Sequence, residues 1–260
     1  MVPCYVVNLD SDTKKWEKVT RTLTSIGIKH ERFPAVYGKS QSPEYIKEIT
    51  YPSVYYNLKK GRAVDQDIPS LGAIGCYLSH VGVWKKFLES GEEKCLVFED
   101  DLDSVSSLAE IQAFVQEVPE DWDFIFLGYQ KEASLDEDVP LGNCYKIKSL
   151  TFMTHAYLIT KRGATTLLKS AFPIFCQIDS HISYNAIRGD INAYRPVKSM
   201  FKQTFTLSSA CQEGFPVLKL SIARYSNRTI TILILVFFVL LLSRLISFVK
   251  TCTSKLISNR

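Results

Sequence analysis

The chain has 260 residues, of which 46% are hydrophobic and 12% aromatic, and this suits one α/β domain with an appendage better than two small domains. Residues 214–260 carry seven basic residues and no acidic one, so the rest of the chain has 24 basic against 27 acidic residues, and the net charge of +4 belongs to the tail. A nucleic-acid-binding surface needs clustered positive charge on the folded part, so this distribution argues against a nucleic-acid partner.

Strand and helix patterns alternate from the start of the chain. An apolar run at residues 3–9 is followed by helical spacing at 13–26, which Gly27 ends, and by a strand at 30–35. Residues 37–69 contain three prolines and no clear period. We predict an irregular loop there, either functional or mobile.

The alternation continues beyond this loop. Helices are predicted at 70–90, 108–118, 161–170 and 180–187, and strands at 95–98, 124–127, 144–150 and 155–160. Strands that are apolar on both faces and alternate with helices indicate an α/β fold with a mainly parallel sheet.

The tail holds the longest apolar stretch of the chain. Residues 229–249 are mostly Ile, Leu, Val and Phe, and about 20 such residues span a bilayer core. We predict a catalytic domain at 1–220, followed at 221–260 by a basic linker, one transmembrane helix (229–249) and a short tail. A buried terminal helix or a helix lying in the membrane plane is the alternative.

Two features bear on the compartment. No basic leader precedes the first apolar run, and the seven cysteines include no Cys-x-x-Cys pair. We therefore expect reduced thiols and a single-pass protein whose catalytic domain lies on the cytosolic side of a membrane.

A carboxylate cluster follows the predicted strand at 95–98. Four of the five residues from Glu99 to Asp103 are acidic, and ligands of open α/β sheets bind just outside the carboxyl ends of strands. Oxygen ligands in this number favour Mg²⁺ or Mn²⁺, which could bridge a diphosphate. A solvated acidic turn that caps a helix is the alternative.

Other polar residues each have a structural and a functional interpretation. His80 lies beside the apolar face of the helix at 70–90 and could be a core histidine or a donor to phosphate or sugar. Asp123 reads as a turn residue, with a substrate contact as the alternative. Asp179 precedes a predicted helix and could be its N-cap or a general base for an acceptor hydroxyl.

Several enzyme classes lack their motifs in this chain. There is no Walker loop, no Rossmann glycine fingerprint and no G-x-S-x-G elbow, which weakens ATPase, dehydrogenase and hydrolase interpretations. His155 and His181 do not form a metal-ligand spacing such as H-E-x-x-H.

The order of these pieces resembles glycosyltransferase family 25, which includes lipopolysaccharide glycosyltransferases and procollagen galactosyltransferases. The resemblance rests on YVVNLD at 5–10, ERFPAVYG at 31–38, GAIGCYLSHVGVW at 72–84 and LVFEDD at 96–101. Weaker matches are WD through LG at 122–128, HAYLITKRG at 155–163 and ID at 178–179.

The resemblance implies a GT-A-type fold, a UDP-sugar donor and inversion at the anomeric carbon. It implies that Asn8 and Leu9 approach the nucleotide, that Ser79 and His80 face the donor site, and that residues 99–101 are the D-x-D equivalent. The sugar-nucleotide set is then Asn8, Leu9, Ser79, His80, Glu99 and Asp100. Asp101 and Asp103 also have D-x-D spacing and are assigned to the metal, Mn²⁺ or Mg²⁺, although which pair of acids holds it stays open.

The resulting hypothesis is an inverting transferase that moves galactose or glucose from UDP to a hydroxyl of a glycan, a lipid-linked sugar or hydroxylysine. Asp179 is the candidate base, because the acids of the 99–103 cluster are committed to the metal side and because it matches an acid of the family's pattern. Two rivals remain: a catalytically silent sugar- or nucleotide-binding membrane scaffold, and a nucleotidyltransferase that uses similar acids.

Overall fold

The computed structural model describes residues 2–60, 68–131 and 140–204. Within these ranges the chain forms the strands β1 (Cys4–Asn8), β2 (Glu31–Pro34), β3 (Lys94–Glu99), β4 (Leu102–Ser104), β5 (Phe124–Lys131), β6 (Cys144–Lys146), β7 (Thr151–Thr160), β8 (Ala193–Pro196) and β9 (Phe201–Gln203). The helices of the same ranges are α1 (Thr13–Ser25), α2 (Pro43–Ile49), α3 (Pro52–Lys60), α4 (Leu71–Glu89), α5 (Leu108–Glu117), α6 (Lys161–Lys169) and α7 (Ile178–Ile187).

The described strands form a central sheet of seven and a small sheet of two. The order in the large sheet is β2-β1-β3-β7-β5-β8-β6, and β4 pairs with β9 in the small one. β1 is parallel to both β2 and β3, and β5 is parallel to β8, whereas β7 and β6 are antiparallel to their neighbours. Five of the seven strands thus point the same way, which confirms a mainly parallel α/β sheet.

The sheet is buried on both faces because its apolar side chains alternate. In β1, Tyr5 and Val7 face one apolar cluster, and Cys4 and Val6 face the other. The first cluster packs under α2, α3, α4, α6 and α7, and the second under α1 and α5. A period of two with apolar residues on both sides is what a strand between helical layers requires.

The prediction of an irregular loop at 37–69 is wrong, because α2 and α3 lie within it. The prolines that suggested a loop stand at helix starts: α2 begins at Pro43, with the Ser42 hydroxyl accepting a hydrogen bond from Tyr45 N (3.2 Å), and α3 begins at Pro52. Proline is favoured in the first turn of a helix, since its missing N–H has no partner there in any case.

Helix α4 lies against the loop that follows β2, with backbone touching backbone. A Cβ on Gly75 would lie 2.4 Å from Val36 O, and a Cβ on Gly38 would lie 1.7 Å from Leu71 O. Only glycine permits this approach. The Ser79 hydroxyl, one turn after Gly75, accepts a hydrogen bond from Val36 N (2.8 Å) and donates to Gly75 O (2.6 Å).

The C-terminal predictions lie outside the described residues. These include the domain boundary at 220 and the transmembrane helix at 229–249, which both stay predictions. In the ranges that the structure does describe, no helix is long and apolar enough to cross a membrane.

Candidate active site

The carboxyl ends of β1 and β3 meet at one edge of the sheet. The two strands are parallel and paired, with Val7 opposite Glu99, so Asn8 and the acids after β3 come together. β7 runs antiparallel beside β3, with Phe98 opposite Ala156, and therefore brings its first half to the same edge. This is the position at which open α/β sheets bind ligands.

Asn8 and Asp100 make direct contact at this edge. Asn8 Nδ2 donates to Asp100 Oδ2 (2.6 Å), and Arg32 Nε donates to Asn8 Oδ1 (2.8 Å). Arg32 Nη2 also donates to the Leu9 carbonyl (2.8 Å), and Lys15 Nζ lies 3.7 Å from Asp100 Oδ1. Burial raises the pKa of Asp100, although Asn8 and Lys15 act in the opposite direction. Lys15 thus lies beside Asp100, and Arg32 holds the asparagine that bonds to this acid.

Asp101 is buried, and among the described residues only one of its two carboxylate oxygens is hydrogen-bonded. Its Oδ2 accepts a hydrogen bond from Gln203 Nε2 (2.9 Å), because β4 pairs with β9, while Oδ1 has no hydrogen-bond partner among the described residues. Burial, followed by the negative charge of Glu99, raises the pKa of Asp101 to about 7. A buried carboxylate oxygen of this kind is suited to a cation, so the site fits a hard divalent ion.

Asp103 lies elsewhere. It stands in β4 with Oδ1 3.2 Å from Lys18 Nζ of α1, and its side chain is half exposed. It lines a groove of about 460 Å³ together with Thr22, Ser25 and Ser107. The structure therefore gives Asp103 an ion pair on this groove, and its metal role stays a prediction.

Glu99 is held by groups from α4 and β7. His80 Nε2 lies 3.2 Å from Glu99 Oε1, and Thr154 Oγ1 donates to the same oxygen (2.7 Å). His80 Nδ1 lies 2.9 Å from the Tyr157 hydroxyl, which also accepts from Trp84 Nε1 (3.0 Å). Burial opposes ionisation of Glu99, but the hydrogen bonds from His80 and Thr154 outweigh it and lower its pKa.

A second set of potential metal ligands surrounds Glu99. Among the described residues, Cys76, His80 and Glu99 each offer one ligand atom to a metal, and these three atoms lie within 4.8 Å of one another. Sulfur and imidazole ligands favour a softer cation than Mg²⁺ or Mn²⁺. The predicted hard ion is better matched by the carboxylates of Asp100 and Asp101.

Asp179 and Glu99 line the same cavity of about 140 Å³. Its walls are formed by Ala73, Cys76, Glu99, Met153, Thr154, Gln177, Ile178, Asp179 and Gln203. The cavity is small and is lined by both carboxylates. Gln203, which also lines it, donates a hydrogen bond to Asp101.

Asp179 is a residue of the first turn of α7. The N-cap is Gln177, so the N-cap interpretation of Asp179 is wrong. Its Oδ2 accepts from Met153 N (2.9 Å) and its Oδ1 from Ser180 N (2.6 Å), and Met153 has a left-handed backbone with φ of 77°. Burial raises the pKa of Asp179 even though both amides lower it, and a raised pKa suits a general base.

Four residues weighed from the sequence make their hydrogen bonds to groups other than these carboxylates. Asp123 accepts hydrogen bonds from Arg162 Nε (2.6 Å) and Asn192 N (2.8 Å) at the start of β5, in keeping with its structural interpretation. His155 Nε2 lies 3.2 Å from Phe201 O, and His181 Nε2 lies 3.1 Å from Leu167 O. Ser79, as described above, bonds to backbone groups of α4 and the neighbouring loop, so its donor-site role stays a prediction.

The sequence did not single out several residues of this site. Lys15, Arg32, Thr154, Tyr157 and Gln203 all contact its carboxylates or the residues that hold them. Arg32 and Tyr157 lie inside matched stretches and could have been found there. Gln203 could not, because its contact depends on the pairing of β9 with β4.

The family model described as glycosyltransferase family 25 (LPS biosynthesis protein) matches residues 1–182. The chain belongs to glycosyltransferase family 25. Procollagen galactosyltransferase 1-A of Xenopus laevis is 30% identical over 175 residues, 64% of this chain and 28% of that protein. A glycosyltransferase 25 family member of Anopheles gambiae is 28% identical over 176 residues, with the same two coverages.

This family 25 chain therefore spans little more than a quarter of the length of these relatives. The motifs at 5–10, 31–38, 72–84 and 96–101 all fall inside the matched region, so the resemblance seen in the sequence is confirmed. A crystal structure of apo-UDP-glucose pyrophosphorylase covers 88% of this chain and 100% of that one at 12% identity, with a TM-score of 0.41, which is too low to bear on function.

Proposed function

We propose that this protein is an inverting glycosyltransferase of GT-A type that moves a hexose from a UDP-sugar to a hydroxyl group. Galactose is the favoured hexose, and glucose is the alternative. The observation that carries the proposal is the shared edge of β1 and β3, where Asn8, Asp100 and Asp101 meet beside a cavity lined by Glu99 and Asp179. Relatives named procollagen galactosyltransferase favour galactose as the transferred sugar.

Asp100 and Asp101 would hold a divalent ion, Mn²⁺ or Mg²⁺. The Oδ1 of Asp101 has no hydrogen-bond partner in the described ranges and supplies the ligand atom, while the Gln203 bond holds Oδ2. When bound, the ion would neutralise the charge of the departing UDP diphosphate.

The chain's own residues would bind the donor and move the acceptor proton. Lys15 places positive charge next to Asp100, Asn8 orients that carboxylate through its amide, and Arg32 holds Asn8. Asp179 would take the proton from the acceptor hydroxyl while the hydroxyl oxygen bonds to the anomeric carbon and the bond from that carbon to UDP breaks. The proton then passes from Asp179 to solvent. The acceptor hydroxyl would belong to a glycan, a lipid-linked sugar or a hydroxylysine.

One screen tests this function against its rivals. The purified full-length protein is mixed with UDP-, GDP- and CMP-sugars with and without Mn²⁺, and thermal stabilisation and nucleotide release are measured. We expect stabilisation and slow release with UDP-sugars alone. Binding without turnover on good acceptors would indicate a silent sugar- or nucleotide-binding scaffold. Release of pyrophosphate from a nucleoside triphosphate would indicate a nucleotidyltransferase.

We also propose that residues 229–249 anchor the protein in a membrane with the catalytic domain on the cytosolic side. The support is the length and apolar composition of this stretch alone. Glycosylation at Asn227, which begins an Asn-x-Thr acceptor sequence, would show that the preceding domain faces a lumen instead.

A further inference from the structure

A buried series of hydrogen bonds runs from α4 through β7 to Glu99. Trp84 Nε1 donates to the Tyr157 hydroxyl (3.0 Å), that hydroxyl lies 2.9 Å from His80 Nδ1, and His80 Nε2 lies 3.2 Å from Glu99 Oε1. The side chains of Trp84, Tyr157 and His80 are all 0% exposed. His80 and Trp84 stand four residues apart in α4, so both face the same hydroxyl. We refer to Trp84, Tyr157 and His80 as the relay.

The relay admits one arrangement of protons that satisfies every member. The Trp84 indole can only donate, so the Tyr157 oxygen accepts this bond and its own hydrogen remains to be donated. His80 Nδ1 accepts that hydrogen. The imidazole proton is then on Nε2 and points at Glu99. A doubly protonated His80 would donate from both nitrogens and could no longer accept the Tyr157 hydrogen.

Both donors to Glu99 reach the same oxygen. Oε1 receives both His80 Nε2 and Thr154 Oγ1, so neither of these donors occupies Oε2, and Glu99 lines the cavity. A carboxylate held by two donors on one oxygen has little rotational freedom. Its other oxygen is therefore aimed before any ligand arrives, and a carboxylate oxygen accepts hydrogen bonds from hydroxyl groups.

We infer that His80, Tyr157 and Trp84 are positioning residues that orient Glu99 so that its Oε2 accepts a hydrogen bond from a hydroxyl of the transferred sugar. None of the three touches the sugar; they act through Glu99. This inference rests on the proposed function, since it requires a sugar in the cavity. It also gives the S-H-x-x-x-W part of the motif at 72–84 a physical role.

The first test removes one oxygen atom. Tyr157→Phe keeps the ring, which stacks on Phe124 at 4.6 Å, and deletes the hydroxyl that joins Trp84 to His80. Tyr77→Phe is the matched control: Tyr77 is also buried and donates its hydroxyl to Ala171 O (2.8 Å), without contacting Glu99. Removing a buried hydroxyl destabilises either protein to a similar extent.

We expect Tyr157→Phe to lower kcat about 10- to 100-fold, because a shift of the sugar of up to about 1 Å costs this much, while the KM for the UDP-sugar changes far less. Tyr77→Phe should retain wild-type kcat. Equal kcat values for the two variants would overturn the inference.

A conservative pair of variants addresses His80 itself. His80→Gln keeps a side-chain N–H that can donate to Glu99, and His80→Leu does not. We expect His80→Gln to retain clearly more turnover than His80→Leu. Identical losses at equal stability would show that His80 only fills space.

The second test needs no turnover. The full-length protein is labelled with ¹⁵N-histidine, and the signal of His80 is identified among the four histidines by its loss in His80→Gln. We expect the neutral tautomer with the proton on Nε2. A neutral ring protonated on Nδ1, or an imidazolium, would refute the relay. If the wild-type protein transfers no sugar, the proposed function fails and this spectrum alone decides the relay.

Discussion

Replacing Asp101 by Asn should stabilise the protein while removing the proposed ion. Asp101 is buried, and its Oδ1 lacks a hydrogen-bond partner in the described ranges. Its ionised form is therefore costly without a cation. An amide at this position carries no charge and can still accept the bond from Gln203.

The size and sign of the effect follow from the pKa of Asp101. Below pH 3.8, its ordinary pKa, the carboxyl is protonated in both the folded and the unfolded state, so it does not change the free energy of unfolding. Between 3.8 and about 7 the folded state keeps a proton that the unfolded state releases, so stability falls as pH rises. Above pH 7 the full penalty is reached, at most about 4 kcal/mol. Asp101→Asn should recover this energy at pH 8 and none at pH 3.

Urea unfolding at several pH values in EDTA measures the effect. Mn²⁺ should restore stability to the wild type at pH 8 and leave Asp101→Asn unchanged. Asp103→Asn is the control, and its half-exposed ion pair with Lys18 should contribute less than about 1 kcal/mol. The reasoning fails if wild type and Asp101→Asn have parallel pH profiles, or if the variant is the less stable protein at pH 8.

Three further predictions concern other parts of the chain. Asp179→Asn should lower transfer about 10²- to 10⁴-fold with unchanged UDP binding, measured by kinetics and calorimetry, and near-normal transfer would place the base elsewhere. Gly75→Ala should destabilise the protein by about 1–3 kcal/mol or more, because the new Cβ would meet Val36 O. Gly82→Ala in the same helix meets the movable ring of Phe33, so thermal unfolding should show a smaller loss of stability. Carbonate washing should leave the full-length protein on membranes, and release by this wash would exclude a span at 229–249.

Much of the central sheet could be predicted from the sequence, because its signals are local. The apolar runs of β1 and β3 and the helical spacing of α1 and α4 each lie within one segment. The meeting of Asn8 with the acids after β3 follows from the parallel sheet alone, because the carboxyl ends of parallel neighbouring strands lie at the same edge. The direction of β7 does not, because a strand buried on both faces has the same pattern when read either way.

The parts that could not be predicted depend on contacts between distant segments. Tyr157 and His80 are 77 positions apart, and Gln203 and Asp101 are 102 apart, so no window along the chain contains either pair. The prolines of α2 and α3 misled for another reason. Proline marks both loops and first turns of helices, and only the residues that follow it distinguish the two.

The position of β7 determines when during synthesis the sheet can close. β7 lies between β3 and β5, and about 60 residues separate the end of β3 from the end of β7. At ribosomal rates this segment takes roughly 3 to 12 s to appear. Throughout that interval β3 presents an unpaired edge to other chains, which is a route to aggregation. A nascent chain paused between β3 and β7 is therefore the form of this protein that most needs a chaperone.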